Sequence, residues 1–457
     1  MNKEQLAKYL TTAMSTGADF AEIYYEERKI VDYRLIDSKL DTIDTKNEKG
    51  IGIRITKDEV SYYTSTDILT DENIIKVINK LIKNVNSSNK KTISLKKLVD
   101  KTKNVVISHD DYPIEKKKEL LHKIDNIARK ESKLVTQVVG RILEMDKNFI
   151  IANTTGKYIK GNNVWTRIIA SVYTEKEAKK ERESTNIGAS SGYEILEKFN
   201  VEEEIKKITR TAVEKLDAIN FKGGEMPVIL CPGFGAVIFH EACGHGLEAT
   251  SVAPHVSVFS DDLEKIVATK KVTLIDDGTI ENAWGSSVID DEGNETKKNV
   301  LIEKGIIKNY LVDQFNSKKM NTKLNGCGRR ESYKFSATSR MSNTYLAPGN
   351  DKVEDMIKSI DYGVYCESMS GGSVNPATGD FNFSVETARL IEKGEIKHLL
   401  RGVALIGNSK DILKQVEMVS DDLKIEAGFC GSKSGTIPVT IGQPTIKISK
   451  ILVGGME

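Results

Sequence analysis

The chain has little proline: eight residues in 457, of which only Pro113 precedes position 227. Glycine is equally lopsided, with 8 of 34 in residues 1–220 and 26 in residues 221–457. A front half without these breakers is predicted to form regular helices and strands, and the back half a turn-rich, mostly β region. Cysteine is sparse too. Five residues, at 231, 243, 327, 366 and 430, form no disulfide framework and point to a reducing cytoplasm. No charge sign dominates, with 67 Lys+Arg against 66 Asp+Glu, which argues against nucleic acid or an anionic membrane surface as the main partner. Apolar runs such as Met226–Cys231 fall far short of the ~20 residues of a membrane span. The first ten residues carry Glu4 and no apolar core of a secretory signal. What remains is 29% charged residues and a mean hydropathy of −0.34, the composition of an ordinary globular protein.

The pattern along the chain predicts an α+β protein. Its N-terminal part packs helices on antiparallel sheet, and its C-terminal part is a turn-rich, mostly β domain. Three units are expected: residues 1–90, 91–222 and 223–457, with the main boundary at Lys222-Gly223-Gly224 and a polar linker over Asn84–Thr92. Leu6, Leu10 and Met14 share one face of a helix over Asn2–Ser15. Strands are expected over Ala21–Asp37 and Gly50–Thr66, and a helix over 71–88. A further helix after Pro113 carries Leu120, Leu121, Ile124, Ile127 and Ala128 on one stripe. Residues 134–174 read as antiparallel strands broken near Asn153–Gly156, and a long helix over 193–218 turns Ile205, Ile208, Ala212 and Ile219 inward. Lys304-Gly305 and Lys393-Gly394 sit in two similar stretches and predict hairpin turns. The acidic pieces Asp261-Asp262, Asp276-Asp277 and Asp290-Asp291-Glu292 lack calcium-loop spacing and read as solvated turns.

One stretch concentrates chemistry. His240-Glu241-Ala242-Cys243-Gly244-His245 has the form H-E-x-x-x-H, one residue longer than the zincin pattern. In a regular α-helix, residues five apart lie about 140° apart around the axis, so the two imidazoles would not share a metal. A one-residue π-bulge restores a common face, and Gly244 and Gly246 would ease it. A catalytic zinc needs a third protein ligand and an open position; Glu248, His255 or a distant cysteine could serve. Cys243 is a further option, or a small core residue.

This stretch, through Gly246-Leu247-Glu248, resembles the signature of the TldD/PmbA family, in its metallopeptidase branch. Ordered behind it come Asp290-Asp291-Glu292-Gly293, Gly328-Arg329-Arg330-Glu331-Ser332-Tyr333, Met341-Ser342-Asn343-Thr344-Tyr345 and Gly371-Gly372-Ser373-Val374. Cys430-Gly431-Ser432-Lys433-Ser434-Gly435, Pro438, Gly442-Gln443-Pro444 and Gly454-Gly455 complete the series, so the resemblance covers residues 226–457. It is weaker in front, where Lys57-Asp58-Glu59 stands in place of an expected glycine turn. The resemblance implies a zinc metalloprotease acting on unfolded or extended peptides. His240, His245 and Cys430 would be the Zn2+ ligands, and Glu241 the catalytic general base that takes a proton from zinc-activated water. It further implies dimers, of identical or related subunits, and roles such as trimming peptide-antibiotic precursors or degrading unstructured antitoxins. Arg329, Arg330 and Tyr333 are candidates either for substrate contacts or for a buried supporting network. Two competing expectations stand beside this one: a non-catalytic partner or modulator subunit, and a purely structural zinc closed by Cys243.

Overall fold

A computed structural model describes residues 1–83, 92–375 and 377–456; most of the expected linker, residues 84–91, lies outside them. The front half builds one seven-stranded sheet. In spatial order it runs Val60–Thr66, Lys39–Lys57, Phe20–Ile36, Val135–Asn153 and Tyr158–Lys176, with Lys179–Ala189 and the short parallel Val99–Lys101 both on the last of these. All other pairings in it are antiparallel. Helix Lys3–Ala13 starts on a reciprocal cap, in which the Asn2 side chain accepts from the Gln5 amide and the Gln5 side chain accepts from the Asn2 amide. It packs with helix Asp71–Ile82 over Ile23, Ile51, Ile53 and Ile55 of the sheet. Helices Ile114–Glu131 and Val201–Lys215 cover a second patch of the sheet, around Val138, Ile142, Ile168 and Val172.

Several expectations change in physical detail. The first hairpin is longer than predicted, because residues 39–49 continue the strand as an exposed polar ribbon with no apolar alternation to betray it. Its neighbouring turn is closed without glycine, Asp58 and Glu59 both taking positive φ (46° and 60°). The long helix begins only at Val201, where the Asn200 side chain caps it, and ends at Lys215. Ile219 therefore lies beyond the helix, 40% exposed, bridging to Leu400. The two hairpins form with Lys304-Gly305 and Lys393-Gly394 all at positive φ. The acidic turns at 276–277 and 290–292 are buried, not solvated. Asp276 accepts from the Ser342 amide and hydroxyl and from Thr344, and Asp290 from the amides of Glu292, Asn294 and Gly328. Asp276 thereby ties two neighbouring strands together and Asp290 fixes a turn, roles that sequence spacing does not distinguish from solvation.

The back half carries two larger sheets. One runs Ile306–Ile307, Lys298–Glu303, Leu274–Asp277, Asn343–Leu346, Gly435–Gln443 and Lys424–Ser432. The other runs Tyr362–Val374, Gly224–Leu230, Ile446–Gly454, Ala404–Asn408, Asp380–Glu392 and Glu395–Leu400; Tyr362–Val374 also pairs with Asp380–Glu392, closing five strands into a ring. The largest core, including Val228, Leu230, Phe383, Leu405 and Ile446, lies among these strands and receives the H-E-x-x-x-H segment. Among the described residues no helix is long and apolar enough to cross a membrane.

Candidate metal centre

Strand Gly224–Leu230 delivers the segment. It leaves the sheet through Cys231-Pro232-Gly233, where Gly233 takes φ 97°, and winds through four turns of three geometries in fourteen residues. These are a 3-10 turn at Phe234–Ala236, an α-turn at Val237–Phe239, a π-turn at His240–Gly244 and a second 3-10 turn at His245–Leu247. The defining bond is His245 N–H donating to the His240 carbonyl, five residues back. Val237, Ile238, Phe239, Ala242, Cys243 and Leu247 enter the core, which sets the rotation of the segment and turns both histidines the other way. Gly244 serves this through size. Its φ of −57° is ordinary for a helix, but a Cβ there would run into the Met341 sulfur.

The π-turn brings the two imidazoles together, ring centroids 5.3 Å apart and planes at 84°. Cys430 arrives from strand Lys424–Ser432, opposite Ile437 of the next strand. Metal-binding atoms of His240, His245 and Cys430 all lie within 4.8 Å of one another. His245 is held from both sides: Nδ1 lies 3.1 Å from Glu248 Oε2, and Nε2 lies 3.1 Å from Cys430 Sγ. Burial opposes protonation of His245, but Glu248 and Cys430 together raise its pKa well above the imidazole range. Burial pushes the Cys430 thiol up, yet the charges of the two imidazoles outweigh it and bring the pKa down to about 3. The two imidazoles thus favour the thiolate, the form in which cysteine binds metal.

His240 provides the test of fit. It is 3% exposed, and neither ring nitrogen has a hydrogen-bond partner. An unsatisfied buried polar atom costs about 1–3 kcal/mol, a penalty that a cation accepting the imidazole lone pair removes. Two imidazoles and a thiolate form a donor set suited to zinc with a fourth position left for water or substrate. Glu241 stands at the wall of this pocket, its side chain 25% exposed and its carboxylate 3.6 Å from His245 Nε2. The residues fit a zinc ion.

Of the seven candidate site residues, His240, Glu241, His245 and Cys430 converge. The other three are tied into the protein by some of their groups, with Arg330 Nε and Nη1 left without hydrogen-bond partners. Arg329 donates to the carbonyls of Met341 (2.6 Å) and Pro438 (2.7 Å). Arg330 reaches the front sheet, donating to Glu22 (2.5 Å) and the Asp291 carbonyl (3.0 Å) above the Tyr24 ring. Tyr333 is buried against the first sheet, where its ring fills the space that side chains at Gly50 would need and its carbonyl accepts from Tyr63. Among the other candidates, Cys243 faces the core, where burial pushes its thiol up, and His255 is 69% exposed beside Asp261. Glu248, a candidate third ligand in the sequence, lies instead against the second nitrogen of His245. One contributor escapes motif reading. Arg340, directly before the Met341–Tyr345 motif, ties Cys430 to this group.

Comparison with known proteins agrees with this organisation. Family models described as PmbA/TldA metallopeptidase domain 1, central domain and C-terminal domain match residues 21–85, 107–218 and 223–455. The metalloprotease TldD homolog of Buchnera aphidicola subsp. Schizaphis graminum is 33% identical, the alignment covering 100% of this chain and 96% of that protein. The Haemophilus influenzae homolog is also 33% identical, over 96% of this chain and 93% of its own. Among solved structures, TldE from Thermococcus kodakarensis aligns with a TM-score of 0.76 at 20% identity, covering 99% of this chain and 100% of its own. A Thermotoga maritima protein whose name links it to modulation of a DNA gyrase aligns at 0.79 and 20%, covering 99% of both chains. With its whole length accounted for by these matches, the chain belongs to the PmbA/TldD metallopeptidase family.

Proposed function

We propose that the protein is a zinc-dependent peptidase acting on unfolded or extended peptides. The observation that carries this reading is the buried, unpartnered His240 beside His245 and the Cys430 thiolate, with a part-exposed carboxylate at the pocket wall. His240, His245 and Cys430 would hold the ion. Zinc bound there supplies Lewis-acid polarisation of a peptide carbonyl and water of pKa ~7. Glu241, at the pocket wall, would serve as general base and then as proton donor to the leaving amine. Glu248 keeps His245 in one orientation through Nδ1, leaving Nε2 for the metal. Arg329, Arg330 and Tyr333 are proposed as supports of the surrounding strands rather than substrate contacts, since all three are buried and bonded to neighbouring segments of the protein. The working unit proposed is a dimer, of this chain alone or with a related subunit, in the cytoplasm.

A second reading has its own support: a modulator or partner subunit in which the metal is structural. His245 Nε2 already has Cys430 as a partner at 3.1 Å, so part of the pocket is satisfied without an ion, and the fold relatives include TldE and the gyrase-linked protein. Purified protein incubated with unfolded peptides, with and without a chelator, separates the two by mass spectrometry. Chelator-sensitive cleavage is the outcome expected for the peptidase. Intact peptides at full metal occupancy favour the modulator.

A further inference from the structure

Arg340 is fully buried and lies on neither metal-binding element, yet it bonds the Cys430 hairpin and faces the carboxylate that meets His245. One terminal nitrogen donates to the Cys430 carbonyl at 2.6 Å; the other donates to the Ser434 hydroxyl at 2.9 Å and the Gly435 carbonyl at 3.0 Å. Those three acceptors span the turn of the hairpin that presents Cys430. The remaining nitrogen, Nε, faces Glu248 Oε1 at 3.8 Å, and Glu248 Oε2 meets His245 Nδ1. Arg340 Nε and Glu248 Oε1 are both buried without a hydrogen-bond partner and face each other as opposite charges.

We infer that Arg340 is a positioning residue for the metal centre, fixing the Cys430 hairpin relative to the histidine segment through the Glu248 carboxylate. The inference rests on the reading of His240, His245 and Cys430 as one metal site. A guanidinium suits this task because its planar fork makes several directed bonds at once. An ammonium on a flexible stem cannot hold the hairpin turn and Glu248 in one fixed geometry. His245 and Cys430 are separated by 185 positions in the chain, so their spacing depends on whatever braces one against the other. Arg340 is the side chain that does so from behind both.

The test is a cobalt(II) titration of the full-length chain freed of metal by chelator. It is read by the thiolate-to-cobalt charge-transfer band and by the visible ligand-field bands. The native chain is expected to show both. Arg340→Lys keeps the charge and loses the fork. Its expected result is about 10- to 100-fold weaker cobalt affinity, the usual effect of removing an outer-shell partner. The thiolate band should also fall relative to the ligand-field bands, at unchanged circular dichroism. Arg54→Lys, at an equally buried arginine in the seam with the first sheet, is expected to alter neither. Native affinity and native band ratio in Arg340→Lys overturn the inference. Absence of the thiolate band in the native chain overturns the ligand set itself, and the inference with it. Should Arg340→Lys fail to fold, Ser434→Ala decides, because the Ser434 hydroxyl accepts from Arg340. A smaller affinity loss in the same direction supports the inference, and none overturns it.

Discussion

The seam between the first sheet and the back half, and the histidine pocket a short way behind it, are both buried and polar. In the seam, opposite charges are built against each other. Arg54 meets Glu22 at 3.1 Å and Glu292 at 2.6 Å, Arg330 meets Glu22 at 2.5 Å, and Lys147 meets Asp291 at 2.9 Å. Not every atom there is satisfied: the Glu26 carboxylate accepts no hydrogen bond and burial pushes its pKa up, and Arg54 Nε, Arg330 Nε and Nη1 and Glu292 Oε1 also lack hydrogen-bond partners. In the pocket the groups are a thiolate and two imidazoles, one with both nitrogens unpartnered. Charges that complete one another hold parts of a protein together; donors left without partners in a closed space await something from outside.

Substitutions should separate the two regions, beginning with the largest effect. Glu241→Gln is expected to slow peptide cleavage by ~10²–10⁴ while denaturant unfolding and metal content stay as they were. Arg330→Met should do the reverse. It leaves part of the Glu22 and Asp291 charge buried without compensation, at about 3–5 kcal/mol of stability, measured by denaturant unfolding. Gly244→Ala bridges the two: its Cβ meets Met341 within the core, and the expected loss is about 1–3 kcal/mol, together with weaker metal binding as the π-turn shifts. A pH dependence of the seam completes the comparison. Burial raises the Glu292 carboxyl to about 8, opposed by Arg54 and reinforced by Asp313, Glu22 and Asp290. A raised folded pKa gives stability that is full below the unfolded value near 4.5 and declines as pH rises toward 8. Thermal unfolding followed from pH 5 to 8 should show that decline, and Glu292→Gln should flatten it.

Much of the front half was legible because apolar periodicity there is uninterrupted, as at Leu121, Ile124 and Ala128 or in the Ile51–Ile53–Ile55 strand. The polar ribbon over 39–49 was not, since neither of its faces enters a core. At the pocket, the spacing of His240 and His245 required an extra residue in the turn, and the π-turn is where the structure has it. The role of Gly244 differed from the expectation of conformational freedom, because a close approach to Met341 depends on a residue nearly a hundred positions away. For the same reason Arg340 carried no local signal. Its meaning lies in joining the Cys430 hairpin to Glu248, and no spacing rule encodes that. The burial of Asp276 and Asp290 was not legible, because a carboxylate accepting backbone amides and one facing water share the same sequence.

The central claim is that two imidazoles from a π-turn and one thiolate from the carboxyl-terminal hairpin hold a single ion. Metal content of purified chain and of Cys430→Ser, each folded by circular dichroism, tests it most directly. About one zinc per native chain and a near-complete loss in Cys430→Ser is the predicted result; equal zinc in both would contradict the account.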